Sequence, residues 1–239
     1  MHIVDGVGMP GGASGHVNVS LLVSDDSITM VDAGFAGVSQ PLVAYLAAIG
    51  RPASDIVRII VTHHHQDHTG GLAEAVAMTG AEVWAHEDDA GYIDGSVARP
   101  TPSESQRQAL LAGLAPAQRE GMIARLRNPM APQPVAVDLR LVGGEALAVL
   151  GGCKILHTPG HTPGHLSLFL PALSLLIAGD LLRSAHGVVT GPPFGYTADP
   201  DQALASIGKV LELGFDRLLG YHGEYLGSGA AGASRHILG

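Results

Sequence analysis

Four histidines and an aspartate stand within six consecutive positions, His63, His64, His65, Asp67 and His68, directly after the apolar run "DIVRIIVT". Imidazole nitrogens and carboxylate oxygens are the donors that zinc and other divalent first-row ions take. In an extended segment side chains alternate with period two. His63 and His65 therefore share a side and can grip one ion, while His64 points the other way, to packing or solvent. Asp67 and His68 fall where the chain turns into "GGLAEAVAMTG" and face a second position nearby.

Three later apolar runs deliver the same chemistry at their ends. "CKILHTPG" leads to His161, "LLIAG" to Asp180 and "RLLGY" to His222. In layered α/β folds ligand sites assemble at strand ends, so groups this far apart in sequence can meet. Two ions a few Å apart need a bridging oxyanion, and Asp180 is the candidate.

The elements that must position these groups are legible as patterns. "HVNVSLLVS" and "SITMVDAG" read as an antiparallel hairpin across the turn-like "DD". "QPLVAYLAAIG" is a helix ended by Gly50, "DIVRIIVT" a buried strand, "GGLAEAVAMTG" a helix and "AEVWAH" a strand. From about residue 90 to 134 the character changes: "SESQRQALLAGL" and "PAQREGMIARLRN" are two helices fenced by "RPTP" and "NPMAPQP". No core-sized pattern accompanies them, so they form an insertion or lid on a single domain spanning residues 1–239, and could equally supply a homodimer contact. Strands resume with "VAVDLRLV", "CKILHT", "LSLFLP" and "SLLIAGD". A Gly/Pro-rich loop, the helix "DPDQALASIGKVLELG" and the strand "DRLLGYH" follow, and "GSGAAGAS" is a loose turn. The alternation predicts an α/β layered fold.

Composition narrows the partners. Of 239 residues 46% are hydrophobic, enough for a substantial core, and the formal charge of -9 repels nucleic acid and anionic membrane surfaces. The single cysteine, Cys153, excludes an intrachain disulfide and any thiolate cage for zinc. The start "MHIVDGVGMPGG" lacks the pattern of a secretory signal, and no uncharged apolar stretch approaches membrane-spanning length, so a cytoplasmic protein acting on a small molecule is expected.

Five elements taken in order, "VDAG", "THHHQDHTGG", "TPGHTPGH", "AGD" and "YHG", resemble the metallo-β-lactamase fold superfamily, whose signature is HxHxDH. The resemblance covers Asp32 to His222 and implies a four-layer αβ/βα sandwich, two facing mixed sheets flanked by helices. It further implies that His63, His65 and His161 hold one metal, that Asp67, His68 and His222 hold a second, and that Asp180 bridges them. Asp32 is similar to an acid that orients a ligand imidazole in this family. The implied cofactor is a pair of divalent ions, zinc first, with manganese or iron as alternatives. The implied reaction is hydrolysis by a metal-bridging hydroxide, with Asp67 holding the attacking group and accepting its proton.

Departures within the family narrow the reaction. A glutamate replaces His65 in the flavodiiron branch, and true β-lactamases carry Cys or Ser at the place of Asp180. The glutathione-thioester hydrolases that share "TPGHTPGH" add a long helical carboxy-terminal domain, which the seventeen residues after His222 cannot supply. The expectation is therefore a hydrolase of a small carbonyl ester, lactone or thioester. A mononuclear iron persulfide dioxygenase, a phosphodiesterase or β-lactam hydrolase of the same fold, and a metal-binding scaffold are the alternatives. Around the metals, His165 is read as a hydrogen-bonding neighbour or a packing residue, and Tyr196 as a donor to a substrate oxygen or a loop anchor beside Phe194. His186 and Arg183 are pocket-lining or solvated, and His86 is a strand-end residue near the rim. His2, His16 and His236 receive no role.

Overall fold

The computed structural model describes residues 7–10, 16–112, 114–127 and 131–238, with backbone alone at 7–10 and 16. His2, the side chain of His16 and most of the opening "MHIVDGVGMPGG" lie outside the described residues, as do positions 113 and 128–130 of the helical segment.

The first half of the chain builds one sheet. β1 (Val7–Pro10), β2 (His16–Val23) and β3 (Ile28–Val31) form an antiparallel meander, so the expected hairpin is present. After α1 (Ser39–Ala48) comes β4 (Ile56–Val61), parallel to β3; α2 (Gln66–Thr69) and α3 (Leu72–Thr79) then lead to β5 (Glu82–His86), parallel to β4. Next come α4 (Glu87–Asp94), α5 (Glu104–Leu111) and α6 (Pro116–Arg127), and β6 (Leu139–Leu141) closes this six-stranded mixed sheet beside β5.

The second half builds a five-stranded mixed sheet from β7 (Ala146–Leu147), β8 (Cys153–His157), β9 (Leu166–Leu170), β10 (Leu175–Gly179) and β13 (Arg217–Gly220), in the order β13-β10-β9-β8-β7. Between β10 and β13 lie the small hairpin of β11 (Arg183–Ala185) and β12 (Val188–Thr190) and the helix α7 (Pro200–Leu211). α8 (Ala230–Ser234) follows β13.

Strand periodicity stacks these parts into the four expected layers. In β4, Ile59 and Val61 pack outward with Leu42 and Leu46 of α1 and Leu72 of α3, while Ile60 faces the second sheet. In β9, Leu166, Leu168 and Leu170 meet Ile60 and Leu22 from the first sheet, while Phe169 turns to Ile207 and Val210 of α7. The order is helices, sheet, sheet, helices. α7 owes its seat to Asp199, whose side chain accepts from Gln202 N at 2.9 Å, and to the buried stripe Ala203, Ser206, Ile207 and Val210.

Three expectations are corrected. "VAVDLRLV" yields only the three residues of β6, because the Asp138 carboxylate takes the Val83 N–H at 2.8 Å and Val135 pairs with the Ile93 carbonyl. "GSGAAGAS" is not a loose turn but contains α8, with Ala230 and Ser234 buried. The Gly/Pro-rich loop after Asp180 contains the β11–β12 hairpin.

Candidate metal centre

The site forms where parallel strands end together. β3 releases Asp32, β4 releases Thr62 and His63, β10 releases Asp180, and β13 releases Tyr221 and His222. Cross-sheet contacts hold this edge: a bridge pairs Val17 with His222, Asn18 N donates to the Tyr221 carbonyl at 2.9 Å, and Leu166 N donates to the Thr62 carbonyl at 2.8 Å. At the end of β10 the register against β13 slips between Ile177 and Gly179, and Gly179 takes φ +55, turning Asp180 off the sheet.

The structure brings all seven expected ligands together as two adjoining groups. In the first, His65 Nδ1 stands 3.0 Å from both His63 Nε2 and His161 Nε2. The three rings meet edge-on, at interplanar angles of 79°, 85° and 86°. Nitrogens around a tetrahedral zinc stand about 3.4 Å apart, so a small inward ion fits this triangle with little movement. Burial, then the neighbouring histidines, holds His63 and His161 well below the ordinary histidine range and His65 at about 4. A neutral imidazole keeps one ring nitrogen with a free lone pair, and these three nitrogens converge closely enough to offer theirs to one cation.

In the second group His222 Nε2 lies 3.0 Å from Asp67 Oδ2, and His68 Nε2 lies 3.8 Å from the same oxygen. Asp180 stands between the groups, 3.5 Å from His161 Nε2 on one side and 3.4 and 3.5 Å from His68 Nε2 and His222 Nε2 on the other. His68 Nε2 and Asp180 Oδ1 are buried without a hydrogen-bond partner, a costly state that a shared cation would relieve. Burial alone would push His68 down, but Asp32, Asp67 and Asp180 outweigh it and raise it well above the ordinary value. That negative field favours any cation, and a divalent ion displaces the proton it stabilises. The donor set and these orphaned atoms thus fit a metal centre.

Asp32 fixes the ring of His68. Its Oδ2 is 2.9 Å from His68 Nδ1, and its Oδ1 accepts from Thr62 N at 2.7 Å. Asp32 sits at φ +62, a conformation aspartate tolerates better than most residues. With Nδ1–H given to Asp32, Nε2 keeps its lone pair for metal. Asp32→Asn should keep the backbone and weaken metal binding by about 10–100-fold, read by competition with a chelator; unchanged affinity would leave Asp32 a purely structural residue.

Two expectations left open resolve differently. His165 is buried and is not aimed at either group: its Nε2 accepts the Asp180 N–H at 3.0 Å, and its Nδ1 lies 2.9 Å from Thr158 Oγ1. Burial lowers it to about 4, so it is neutral, and Nδ1–H donates through Thr158 and Ser167 toward the Ala178 carbonyl. It holds the backbone that carries Asp180. His64 does point away from the ligands, but into protein rather than solvent, with Nδ1 2.8 Å from Asp89 Oδ2 and its ring 4.6 Å from Tyr92.

At the rim, Tyr196 is 43% exposed, its ring 6.5 Å from that of His65 and its hydroxyl 3.9 Å from Met122 Sδ on α6. The structure does not bring His186 to the cluster: its side chain is 95% exposed at the β11–β12 turn and faces Glu224. Arg183 begins β11, three residues beyond Asp180. His86 caps α4 by accepting from Asp88 N at 3.1 Å and stacks on His157 at 3.8 Å with planes 22° apart. Near-parallel stacked rings cannot both aim in-plane lone pairs at one ion, so His86, Asp88 and His157 make a poor metal site despite their proximity.

Sequence reasoning missed Tyr221 and Asp89. The buried Tyr221 ring covers His68 at 3.6 Å and its hydroxyl donates to the Asp67 carbonyl. Asp89 accepts hydrogen bonds from both loops that carry ligands. For Tyr221 the signal was available, since it precedes His222 at a strand end; for Asp89 it was the acidic run "HEDD" that follows β5.

The comparisons agree with this geometry. A family model described as Metallo-beta-lactamase superfamily matches residues 13–222. A probable metallo-hydrolase of Bacillus subtilis (strain 168) is 28% identical over 213 residues, covering 82% of this chain and 75% of its own length. A hydroxyacylglutathione hydrolase of Pseudomonas aeruginosa (strain LESB58) is 34% identical over 151 residues, 62% of this chain but only 41% of that protein. A solved metallo-beta-lactamase family protein from Thermus thermophilus shares the fold, with a TM-score of 0.71 at 24% identity over 97% of this chain and 77% of that one.

Proposed function

The chain belongs to the metallo-β-lactamase superfamily and is a metal-dependent hydrolase, and from that premise we propose that it cleaves a small carbonyl ester, lactone or thioester at a two-ion centre. The observation that carries the two-ion reading is the place of Asp180, within 3.5 Å of ligand nitrogens in both groups. His63, His65 and His161 would hold one ion, and Asp67, His68 and His222 the other. Zinc suits these donors best, and manganese or iron suits them too. Such ions would supply hydroxide near neutral pH and polarise the carbonyl oxygen.

The chain's own residues supply the rest. Asp67, whose side chain is 23% exposed against 8% for Asp180, is the carboxylate that water reaches; it orients the attacking water and takes its proton. Asp32 and Tyr221 hold His68 and the Asp67 backbone still while this happens. Tyr196 offers its hydroxyl to a substrate oxygen from the rim. α5 and α6 act as a cover: Gln106 donates to the Thr197 carbonyl at 2.9 Å, and Met122 lies against Tyr196. Support for a thioester within this group comes from the partial match to hydroxyacylglutathione hydrolases.

The test is a panel of lactones, oxygen esters, thioesters, phosphodiesters and β-lactams offered to protein of measured metal content. Turnover of a carbonyl ester, lactone or thioester with about two zinc or manganese equivalents is expected. One equivalent of iron together with oxygen consumption on a persulfide would overturn the reading.

A further inference from the structure

Asp89 is the third residue of α4, 1% exposed, and takes no part in the chemistry above. Its carboxylate nevertheless makes four hydrogen bonds, two to each ligand-bearing loop. Oδ2 accepts from His64 N at 2.9 Å and lies 2.8 Å from His64 Nδ1, on the loop that carries His63 and His65. The same oxygen accepts from Thr162 Oγ1 at 2.9 Å, and Oδ1 accepts from Gly164 N at 2.8 Å, on the loop that carries His161.

We propose that Asp89 is a positioning residue for the metal centre: by fastening these two loops to one carboxylate it sets the spacing of His63, His65 and His161, and so the affinity of the ion they hold. The inference rests on the two-ion reading above. All three imidazoles of that group come from the two loops, and His64 and Thr162 each adjoin a ligand directly in sequence. Apart from the contact of His65 with His161 themselves, the backbone bond between these segments among the described residues, Leu166 N to the Thr62 carbonyl, lies at the ends of β9 and β4, outside the ligand loops. Gly164 fits the same purpose. A Cβ there would stand 2.8 Å from Asp89 Oδ1 and 2.7 Å from its backbone nitrogen, so the carboxylate occupies the space a side chain would take. Arg99 backs the arrangement, donating to the His64 carbonyl and reaching Thr69 Oγ1 at 3.3 Å.

The second group has separate supports, Asp32 on His68 and Tyr221 on the Asp67 carbonyl. A clamp on the first group should therefore act selectively. Packing alone would favour no particular metal position.

Asp89→Asn retains the shape but turns an amide donor toward groups that are themselves donors; Thr162→Val removes one of the four bonds and is the milder variant. Zinc affinities of both positions, read by chelator competition, and the cobalt(II) absorption spectrum provide the readout, with His161→Ala and His222→Ala marking which position is which. In Asp89→Asn the His63/His65/His161 position should weaken about 10–100-fold while the other changes less than about threefold, with a smaller effect in the same direction for Thr162→Val. Unchanged affinities and cobalt spectrum, with only a lower unfolding midpoint, would make Asp89 a packing residue and overturn the proposal. Equal weakening of both positions would overturn it as well. If the wild-type protein takes up one equivalent, the two-ion reading fails by itself; the clamp then stands if Asp89→Asn weakens that equivalent about tenfold and falls if it does not.

Discussion

Asp67→Asn should lower kcat by about 10²–10⁴-fold while leaving most of the metal in place, because the substitution removes a proton acceptor and keeps an oxygen donor. The carboxylate sits 3.0 Å from His222 Nε2 and, unlike Asp180, is open enough for a water to approach it. Burial would raise its pKa, but His68 and His222 outweigh that and hold it below the ordinary aspartate value, so it enters the reaction ionised and able to accept a hydrogen bond from the attacking water. An interaction used only in the transition state lowers kcat and kcat/KM together and leaves KM nearly fixed. Turnover and metal content should be measured on the same sample. A fall in kcat matched by an equal loss of metal would reduce Asp67 to a ligand. Unchanged turnover at full metal content would remove Asp67 from the proton transfer.

The residues that gather at the site were legible from a local rule, an apolar run followed by imidazole or carboxylate, and their division into two groups from the family resemblance. His63 and His65 needed only the period of two, and the structure sets their nitrogens 3.0 Å apart. What supports them was not legible, because it depends on contacts between distant segments. Asp89 meets Gly164 across 75 residues, and His165 meets the Asp180 N–H only after β9 and β10 have paired. A single sequence marks neither partner.

The fold departs from its pattern for similar reasons. In α8 the three alanines favour helix and burial of Ala230 and Ser234 offsets the cost of Gly232, while the glycines of the preceding "GSG" gave the segment the look of a turn. β11 and β12 did carry a local mark. His186 and Gly187 take φ +51 and +76, the pair of positive values that a tight two-residue hairpin turn requires, and "HG" within "RSAHGVVT" was its trace.

Gly160→Ala should destabilise the protein by about 2–6 kcal/mol, from a backbone penalty of about 1–3 and a collision penalty of about 1–3. Gly160 has φ +129, and a Cβ there would fall 2.2 Å from the Ala203 nitrogen and 2.5 Å from its Cα. Those atoms belong to the first turn of α7, which cannot step aside: Asp199 N donates to the Gly160 carbonyl at 2.8 Å, and Ser206 Oγ donates to the Pro159 carbonyl at 2.7 Å. The loop and the helix start are thus locked at a distance that admits only hydrogen at Gly160. Gly214→Ala is the control. It has φ +66 with nothing within 4 Å of the added carbon, so it carries the backbone penalty alone, about 1–2 kcal/mol. Urea unfolding of the metal-free proteins separates the two contributions; equal losses would show that the close approach to α7 contributes nothing. Because His161 follows directly and Ala198 N holds its carbonyl at 3.1 Å, pushing the loop off α7 moves a ligand as well. Gly160→Ala should therefore also weaken zinc binding at the His63/His65/His161 position, whereas Gly214→Ala, at the opposite end of β13 from His222, should leave it unchanged.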